Sequence, residues 1–373
     1  MSADTTGRTA VATPPREEAL SPRGHGPGAG TRTVAASSPK LVRLPHNPIL
    51  SPRPENGWES FATFNAAATQ LDGRVHLLYR AMGTMGVSVL GYASSADGRH
   101  IDERPDEPAY VPREPFEITP PPPRGLEHPN PYARHYMSGG GYGGCEDPRL
   151  TRIGDAVYMT YVAFNGFDPP RVALTSIAVA DFLAHRWRWR RPVLISRPGI
   201  VDKNAVLFPE RINGRYVFFH RVFPDMLVSR RRSLEFGPGD YLSGDFGIAP
   251  RPECWDSRKV GAGPPPIRTD AGWLQLYHAV DDRRDGEYRV GAMLLDLEEP
   301  TRVLHRSPAP VLEPETAPEN EGHKAGVVYP CGAVVLGGEL VIYYGGADKY
   351  LCAATYPLDR FLTELRQAAV SGC

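Results

Sequence analysis

Glu146 and Asp147 stand side by side in Gly-Gly-Cys-Glu-Asp-Pro-Arg, residues 143–149, with the cation Arg149 two places on. Adjacent acids compete to ionise, so one pKa tends to rise, while a nearby guanidinium holds the other as the anion. That is one way to build a general acid, and it is equally an ordinary way to begin a strand. Strand alternation predicts that one of the two faces inward and the other outward, leaving one catalytic carboxylate. Lys203 and Asn204 open a second such run, KNAVLFPERINGRY. A lysine at the head of an apolar inner strand needs an anion, from a ligand or from a carboxylate such as Asp202 or Glu210. Arg80 and Arg221 close the apolar runs VHLLYR and YVFFHR. Arginine forks suit phosphate and carboxylate, although strand ends also finish in plain surface charges. His220 and His278 hold equivalent places after glycine turns, where a histidine is more often a core hydrogen-bonder than a catalyst. Tyr277 and Tyr344 could stack on a sugar or simply pack. WDSRKVGAGPPPIRT (255–269) gathers Trp255, Asp256, Arg258 and Lys259 around a stiff Gly-Pro segment that also reads as a connection. Asp348, in YYGGADKY, follows a strand pair and could reach a site from there.

The elements that must position these residues are strands. From about residue 41 the chain shows short β-branched and aromatic runs bounded by Gly, Asp, Asn and Pro, and 39 prolines with 38 glycines fit many turns. Five hairpins recur: LDGRVHLLYRA, IGDAVYMTYVA, INGRYVFFHRV, DAGWLQLYHAV and LGGELVIYYGG. Each has a glycine turn and then an aromatic or histidine six or seven residues on, and each is preceded by another apolar or motif-bearing run. The expected architecture is all-β, a five-bladed β-propeller whose first strands line a central channel, with a β-sandwich as the alternative. Asn65, Glu146, Asp147, Lys203 and Asn204 would then be the polar interruptions of channel strands. Residues 108–142, with PPPPRG and SGGGYGG, read as an insertion before the catalytic motif. Residues 1–40 are too poor in large apolar side chains to offset ordering entropy and read as a disordered tail before a single domain, 41–373. Leu358, Phe361, Leu362 and Leu365 predict a short C-terminal helix packed on the barrel.

Composition narrows the function. The formal net charge of −1 gives no nucleic-acid footprint, and no apolar stretch of 18 residues marks a membrane span. The N-terminal stretch lacks an apolar h-region, and the five cysteines have no zinc spacing, so a reducing, cytoplasmic setting is the expectation. No metal or cofactor motif is present: GxGxxG, P-loop, GxSxG and HExxH patterns are all missing.

Together the segments FNAAA, LLYRA, GGCEDPRL, KNAVLFPERINGRYVFFHR, KVGAGPPPIRTDAGWLQLYHAVDD and VVYPCGAVVLGGELVIYYGGAD resemble glycoside hydrolase family 130, the β-mannoside phosphorylases, over residues 58–355. The resemblance implies the same five-bladed propeller. It implies that Asp147 is the general acid that protonates the glycosidic oxygen, in members studied through the sugar's 3-hydroxyl. It implies a phosphate set of Arg149, Lys203, His220, Tyr277 and His278, and sugar or phosphate contacts from Asn65, Arg80, Glu146 and Asp348. It further implies that inorganic phosphate, a co-substrate and no cofactor, attacks the anomeric carbon with inversion. The products would be α-mannose 1-phosphate and a shortened acceptor, without the usual second carboxylate. The long 108–142 segment and RVFPDMLVSRRRSLEF depart from the family's usual wording. A hydrolase on the same scaffold and a non-catalytic carbohydrate-binding propeller stay open as alternatives. Oligosaccharide and phosphate are the expected partners, and a homo-oligomer is left open.

Overall fold

Turn chemistry and alternation make the chain a succession of antiparallel hairpins. The computed structural model describes residues 38–118, 141–244 and 246–368, with the backbone alone at 284 and 285. After the short β1 (Val42–Arg43) come β2 (Ala62–Leu71), β3 (Arg74–Met82) and β4 (Val87–Ser95). The next group is β5 (Gly143–Ile153), β6 (Ala156–Phe164), β7 (Arg171–Ala178), helix α1 (Val179–Leu183) and β8 (Val193–Leu194). A third group holds β9 (Lys203–Leu207), β10 (Tyr216–Val222), β11 (Asp225–Arg231) and β12 (Phe246–Ile248). The fourth holds β13 (Lys259–Ala262), β14 (Ile267–Thr269), β15 (Gly272–Asp281), β16 (Arg284–Leu295) and β17 (Val303–Arg306). Helix α2 (Ala317–Asn320) precedes the last group, β18 (Val328–Leu336), β19 (Glu339–Gly346) and β20 (Tyr350–Pro357), which runs into α3 (Leu358–Gln367). Asp72-Gly73, Asn213-Gly214 and Gly337-Gly338 all turn with positive φ at both residues, the geometry that tight hairpins favour.

These groups are the blades of a five-bladed β-propeller. The first two share one sheet through a short parallel pairing, Val87 with Gly143 and Ser88 with Gly144. The last blade is closed by the N-terminal side of the chain, because β1 pairs with β20 at Val42–Thr355 and Arg43–Ala354. Apolar cores fill the spaces between neighbouring blades. Leu78, Tyr92, Leu150 and Tyr161 pack between the first and second, and Leu174 against Leu207 and Phe218 between the second and third. Phe219 and Trp273 join the third to the fourth, Leu276 and Ile342 the fourth to the fifth, and Leu77 and Tyr343 the fifth to the first. Each such side chain contributes about 1.5–3 kcal/mol when fully buried.

Phe361 and Leu365 of α3 are buried in the core between the fourth and fifth blades, as their helical spacing predicts. Residues before 41 already belong to the fold: Ser38 is buried and its Oγ accepts from the Ala309 amide at 3.0 Å. Residues 1–37 of the expected tail and 119–140 of the expected insertion lie outside the described residues. The start of the insertion belongs to the fold, since Tyr110 bridges to Leu90 and the buried Glu117 accepts from the hydroxyls of Tyr110 and Tyr161.

Inner strands carry the feature that builds the site. Pairing slips between Phe64 and Ala67 in β2, between Glu146 and Arg149 in β5, opposite Phe219–Arg221 in β9, and between Pro330 and Gly332 in β18. At three of these bulges one residue adopts left-handed φ: Asn65 at 48°, Asp147 at 49° and Asn204 at 57°. Asn and Asp tolerate that region better than other residues with a Cβ. A bulge bends the strand and re-aims a side chain.

Candidate active site

The bulge in β5 overturns the alternation expected of Glu146 and Asp147. Both carboxylates meet one guanidinium: Arg80 Nη2 donates to Glu146 Oε1 at 3.1 Å and Nη1 to Asp147 Oδ1 at 3.3 Å. All three side chains are buried. Arg80 is set by Ser88, whose Oγ accepts from its Nε at 2.9 Å, and by the face of Phe64, 4.9 Å from the ring centre. Asn65 Nδ2 donates a 2.8 Å bond to Asp147 Oδ1. A Cβ on Gly345 would sit 1.9 Å from Asn65 Oδ1, so only glycine lets β19 come this close to Asn65. Burial pushes the Asp147 carboxyl up. Arg80, Arg149, the Asn65 hydrogen bond and Lys203 outweigh it, and the carboxyl lies below its ordinary range. Asp348, at positive φ after β19, has the opposite balance: burial and the Asp147 charge raise it against Arg80 and Lys324.

Opposite this acidic group lies an arc of cations. Arg149 donates from Nε to the Gly263 carbonyl at 3.1 Å, from Nη1 to the Asp147 carbonyl at 2.5 Å, and from Nη2 to the Tyr329 hydroxyl at 3.4 Å. The Tyr329 hydroxyl accepts from Asn204 Nδ2, and Asn204 Oδ1 accepts from Arg221 Nε at 2.7 Å. One chain of hydrogen bonds therefore links the second, third and fifth blades through two guanidiniums. Lys203, level with Arg221 across the β9–β10 pair, has its Nζ 4.0 Å from Glu146 Oε2. Burial lowers the Lys203 ammonium against the pull of Glu146 and Asp147. From the fourth blade, Lys259 Nζ donates to the Tyr288 hydroxyl at 2.6 Å. His278 lies tilted against Tyr329, ring centres 4.5 Å apart, and burial with Arg221, Arg149 and Lys259 around it drives its pKa far down. It is a neutral ring in the arc, and its Nδ1 has no hydrogen-bond partner among the described residues.

Two expected phosphate ligands lie elsewhere. His220 uses both ring nitrogens, Nδ1 on Asp202 Oδ2 at 2.8 Å and Nε2 on the Ser243 carbonyl at 2.8 Å, so it braces the third blade. Its neighbour Arg221 points into the arc instead. Tyr277 is buried between blades, where its hydroxyl donates to Asp256 Oδ2 at 2.8 Å and accepts from Arg306 Nε at 3.2 Å. Tyr344 likewise packs, with its hydroxyl on Glu319 at 2.8 Å. The structure thus brings together Asn65, Arg80, Glu146, Asp147, Arg149, Lys203, His278 and Asp348, and leaves out His220 and Tyr277. Sequence reasoning passed over Tyr288 and Tyr329, and named Arg221 and Lys259 without placing them in the site. The Tyr in VVYPCG, on a channel strand beside the bulge at Cys331, was the available signal for Tyr329. Among the described residues no cluster of His, Cys, Asp or Glu could hold a metal ion, and no helix is long and apolar enough to cross a membrane.

A family model described as Glyco_hydro_130, beta-1,4-mannooligosaccharide phosphorylase, matches residues 128–367. A 1,2-beta-oligomannan phosphorylase of Thermoanaerobacter sp. (strain X514) is 38% identical over 325 residues, covering 84% of this chain and 96% of that one. A beta-1,4-mannooligosaccharide phosphorylase of Ruminococcus albus is 30% identical over 336 residues, covering 86% and 89%. Among solved structures, the Listeria innocua beta-1,2-mannobiose phosphorylase in complex with beta-1,2-mannobiose superposes with TM-score 0.67 at 24% identity, covering 87% of this chain and 99% of that one.

Proposed function

The chain belongs to glycoside hydrolase family 130, and on that premise we propose that it cleaves a β-1,2-linked mannoside with inorganic phosphate to give α-mannose 1-phosphate and a shortened acceptor. It is an enzyme of the family's mannoside phosphorylase type, with phosphate as co-substrate. One observation carries the residue assignment. Arg149, Arg221 and Lys259 are held by carbonyl, amide and hydroxyl oxygens rather than by carboxylates. Cations seated on neutral partners, Arg149 buried and Arg221 and Lys259 half-buried, make a preformed site for an anion.

The reaction assigned to this geometry needs one proton and one nucleophile. Arg149, Lys203 and Arg221, with His278 and Tyr329 beside them, hold and orient the phosphate. One phosphate oxygen attacks the anomeric carbon as the glycosidic C–O bond breaks on the opposite face, which inverts the configuration. Asp147 supplies the proton that ends on the departing oxygen. Asn65, Arg80, Glu146 and Asp348 line the sugar side. Arg80, Arg149 and Lys203 hold Asp147 as the anion. A bound phosphate offsets Arg149 and Lys203, raising the carboxyl towards the protonated form that an acid catalyst requires. Positioning and electrostatics therefore carry the catalysis.

The β-1,2 linkage is supported by identity. Two Thermoanaerobacter relatives named for β-1,2 substrates are 38% and 34% identical, against 30% for the β-1,4 enzyme. A cytoplasmic location is part of the same proposal, because a charged sugar phosphate is retained only on the side of a membrane where it forms. The test incubates the enzyme with β-1,2- and β-1,4-mannobiose and longer oligomers, with and without phosphate. The expected result is α-mannose 1-phosphate from the β-1,2 series alone and only with phosphate. Equal mannose release without phosphate overturns phosphorolysis, and preference for the β-1,4 series overturns the linkage.

A further inference from the structure

Two adjoining cavities, of about 270 and 380 Å³, lie at the end of the second blade where β5 begins. Phe116, Arg171 and Leu194 line both, so they form one groove. Strand register gives its distance from the reaction. Cys145, two residues before Asp147, pairs with Ala163, and Ala163 pairs with Arg171. Two strand spacings put Arg171 about 10 Å from the catalytic strand. Two edges of the groove lead back to the centre. The β6–β7 loop, which brings Asn165 and Asp168 to the lining, starts where Phe164 pairs with Gly144. From Pro198 and Gly199, also in the lining, the chain runs through the exposed Ile200 and Val201 to Lys203.

We propose that this groove binds the acceptor end of a β-linked manno-oligosaccharide, holding the sugars beyond the pair that flanks the cleaved bond. The proposal rests on the phosphorylase reading. The lining has the chemistry of a site for a neutral polyol. Arg171 is half-buried and sits on neutral partners: it donates from Nη2 to the Ser196 carbonyl, and its guanidinium stands 5.5 Å from the Tyr241 ring centre. Its buried Nε has no hydrogen-bond partner among the described residues. Asp168 is shaped by Asn165, whose Nδ2 donates to Oδ2 at 2.8 Å and whose Oδ1 accepts from the Asp168 amide at 2.9 Å. Arg191, in the second cavity, donates to Glu114 at 3.0 Å. Cations and carboxylates therefore balance here, where the central arc has cations in excess and suits an anion. A guanidinium, a carboxylate and an amide together offer donors and acceptors to neighbouring hydroxyls. Phe116 and Tyr241 offer ring faces to the apolar side of a sugar. A few polar groups on apolar walls is the usual make-up of a small-ligand site. A disaccharide held across Asp147 ends short of Arg171, and a longer oligomer reaches it.

The test compares wild type with Arg171→Met, Asp168→Ala and Phe116→Ala. It measures kcat and KM at saturating phosphate for mannobiose and mannotetraose of the linkage that the enzyme turns over. Wild type should favour the tetrasaccharide by about tenfold or more in kcat/KM, mostly through KM, because remote contacts bind ground and transition states alike. Arg171→Met should raise the tetrasaccharide KM by about tenfold or more, the loss of charge-assisted hydrogen bonds. Phe116→Ala should raise it by about 3- to 10-fold through lost ring contact. Asp168 is exposed, so Asp168→Ala tests the site with little effect on folding, and it too should raise the tetrasaccharide KM by about threefold or more. In all three variants the mannobiose kcat/KM and the phosphate KM should stay within about twofold of wild type. In synthesis from α-mannose 1-phosphate, the variants should stop at shorter oligomers than wild type. Equal kcat/KM for the two substrates in wild type, or losses in the variants that are absent or equal on both substrates, overturns the proposal. If the wild-type enzyme turns over without phosphate, the underlying reading fails instead.

Discussion

Asp147 does two jobs with one charge. As a proton donor its loss is a catalytic event: Asp147→Asn should lower kcat/KM by about 10²- to 10⁴-fold, read with β-1,2-mannobiose and saturating phosphate. As a buried anion against Arg80 it also supports the fold. Its folded pKa lies below the ordinary value, so its contribution is present above about pH 4 and is lost as pH falls through the folded pKa. Asp147→Asn should therefore unfold more easily at pH 7, by about 1.5–3 kcal/mol for a charged hydrogen bond. The gap should close in acid, and a gap that widens there contradicts the assignment. His220 has the reverse sign. Asp202 raises its pKa against the lowering by burial, so the pair's contribution is full below about pH 6.5 and is lost as pH rises through the folded value. His220→Gln should lose more stability at pH 6 than at pH 9 and keep its phosphate KM within about threefold. Arg221→Met should raise that KM by about tenfold or more. The acids, Arg80, Arg149 and Lys203 were legible in sequence because charges that interrupt apolar strands demand partners. His220 was misplaced because the slip in β9–β10 pairing decides which of two adjacent cations faces inward, and no residue type announces that slip.

Strands and turns were the most legible elements, and the bulges the least. Glycine turns and alternation carried the hairpins and thence the blade number. A bulge adds one residue without altering composition, so Glu146 and Asp147 were expected to diverge and instead share Arg80. The ring closure was also hidden, since β1 is two residues long and its partner is over three hundred positions away. Its strength lies in side chains. Arg43 grips Glu319 at 2.7 Å through Nε and 3.0 Å through Nη2. Glu319 also accepts from the Glu315 and Thr316 amides and from the Tyr344 hydroxyl. Burial raises the Glu319 pKa, but the Arg43 bond and these amides hold it below the ordinary range. Glu319→Ala leaves Arg43 without its main partner and should cost about 3–5 kcal/mol at pH 7, measured by denaturant unfolding. The difference should shrink as pH falls through the lowered folded pKa, where the native carboxylate itself becomes protonated.

At the scale of the whole molecule, all the blades send side chains to one centre: Asn65 and Arg80, then Asp147 and Arg149, then Lys203 and Arg221, then Lys259 and His278, then Tyr329 and Asp348. A ring built this way concentrates like charges where the strands converge, and its packing must hold them together against repulsion. An anion that enters the centre should therefore stabilise the fold, because the unfolded chain has no equivalent site. At a hundred times its dissociation constant, bound phosphate adds about 2.7 kcal/mol. With about 2.1 cal/mol/K of unfolding entropy per residue, that is a Tm rise of roughly 4 °C over the described residues. Chloride at matched ionic strength should give little of it, since screening alone does not fill the site. Arg149→Met should lose most of the shift, whereas Asp147→Asn, with one fewer negative charge facing the phosphate, should keep or enlarge it. A thermal melt series with phosphate, sulfate and chloride reads the native protein and both variants. Equal shifts from chloride and phosphate in the native protein, or a full shift in Arg149→Met, would place the bound anion outside this centre.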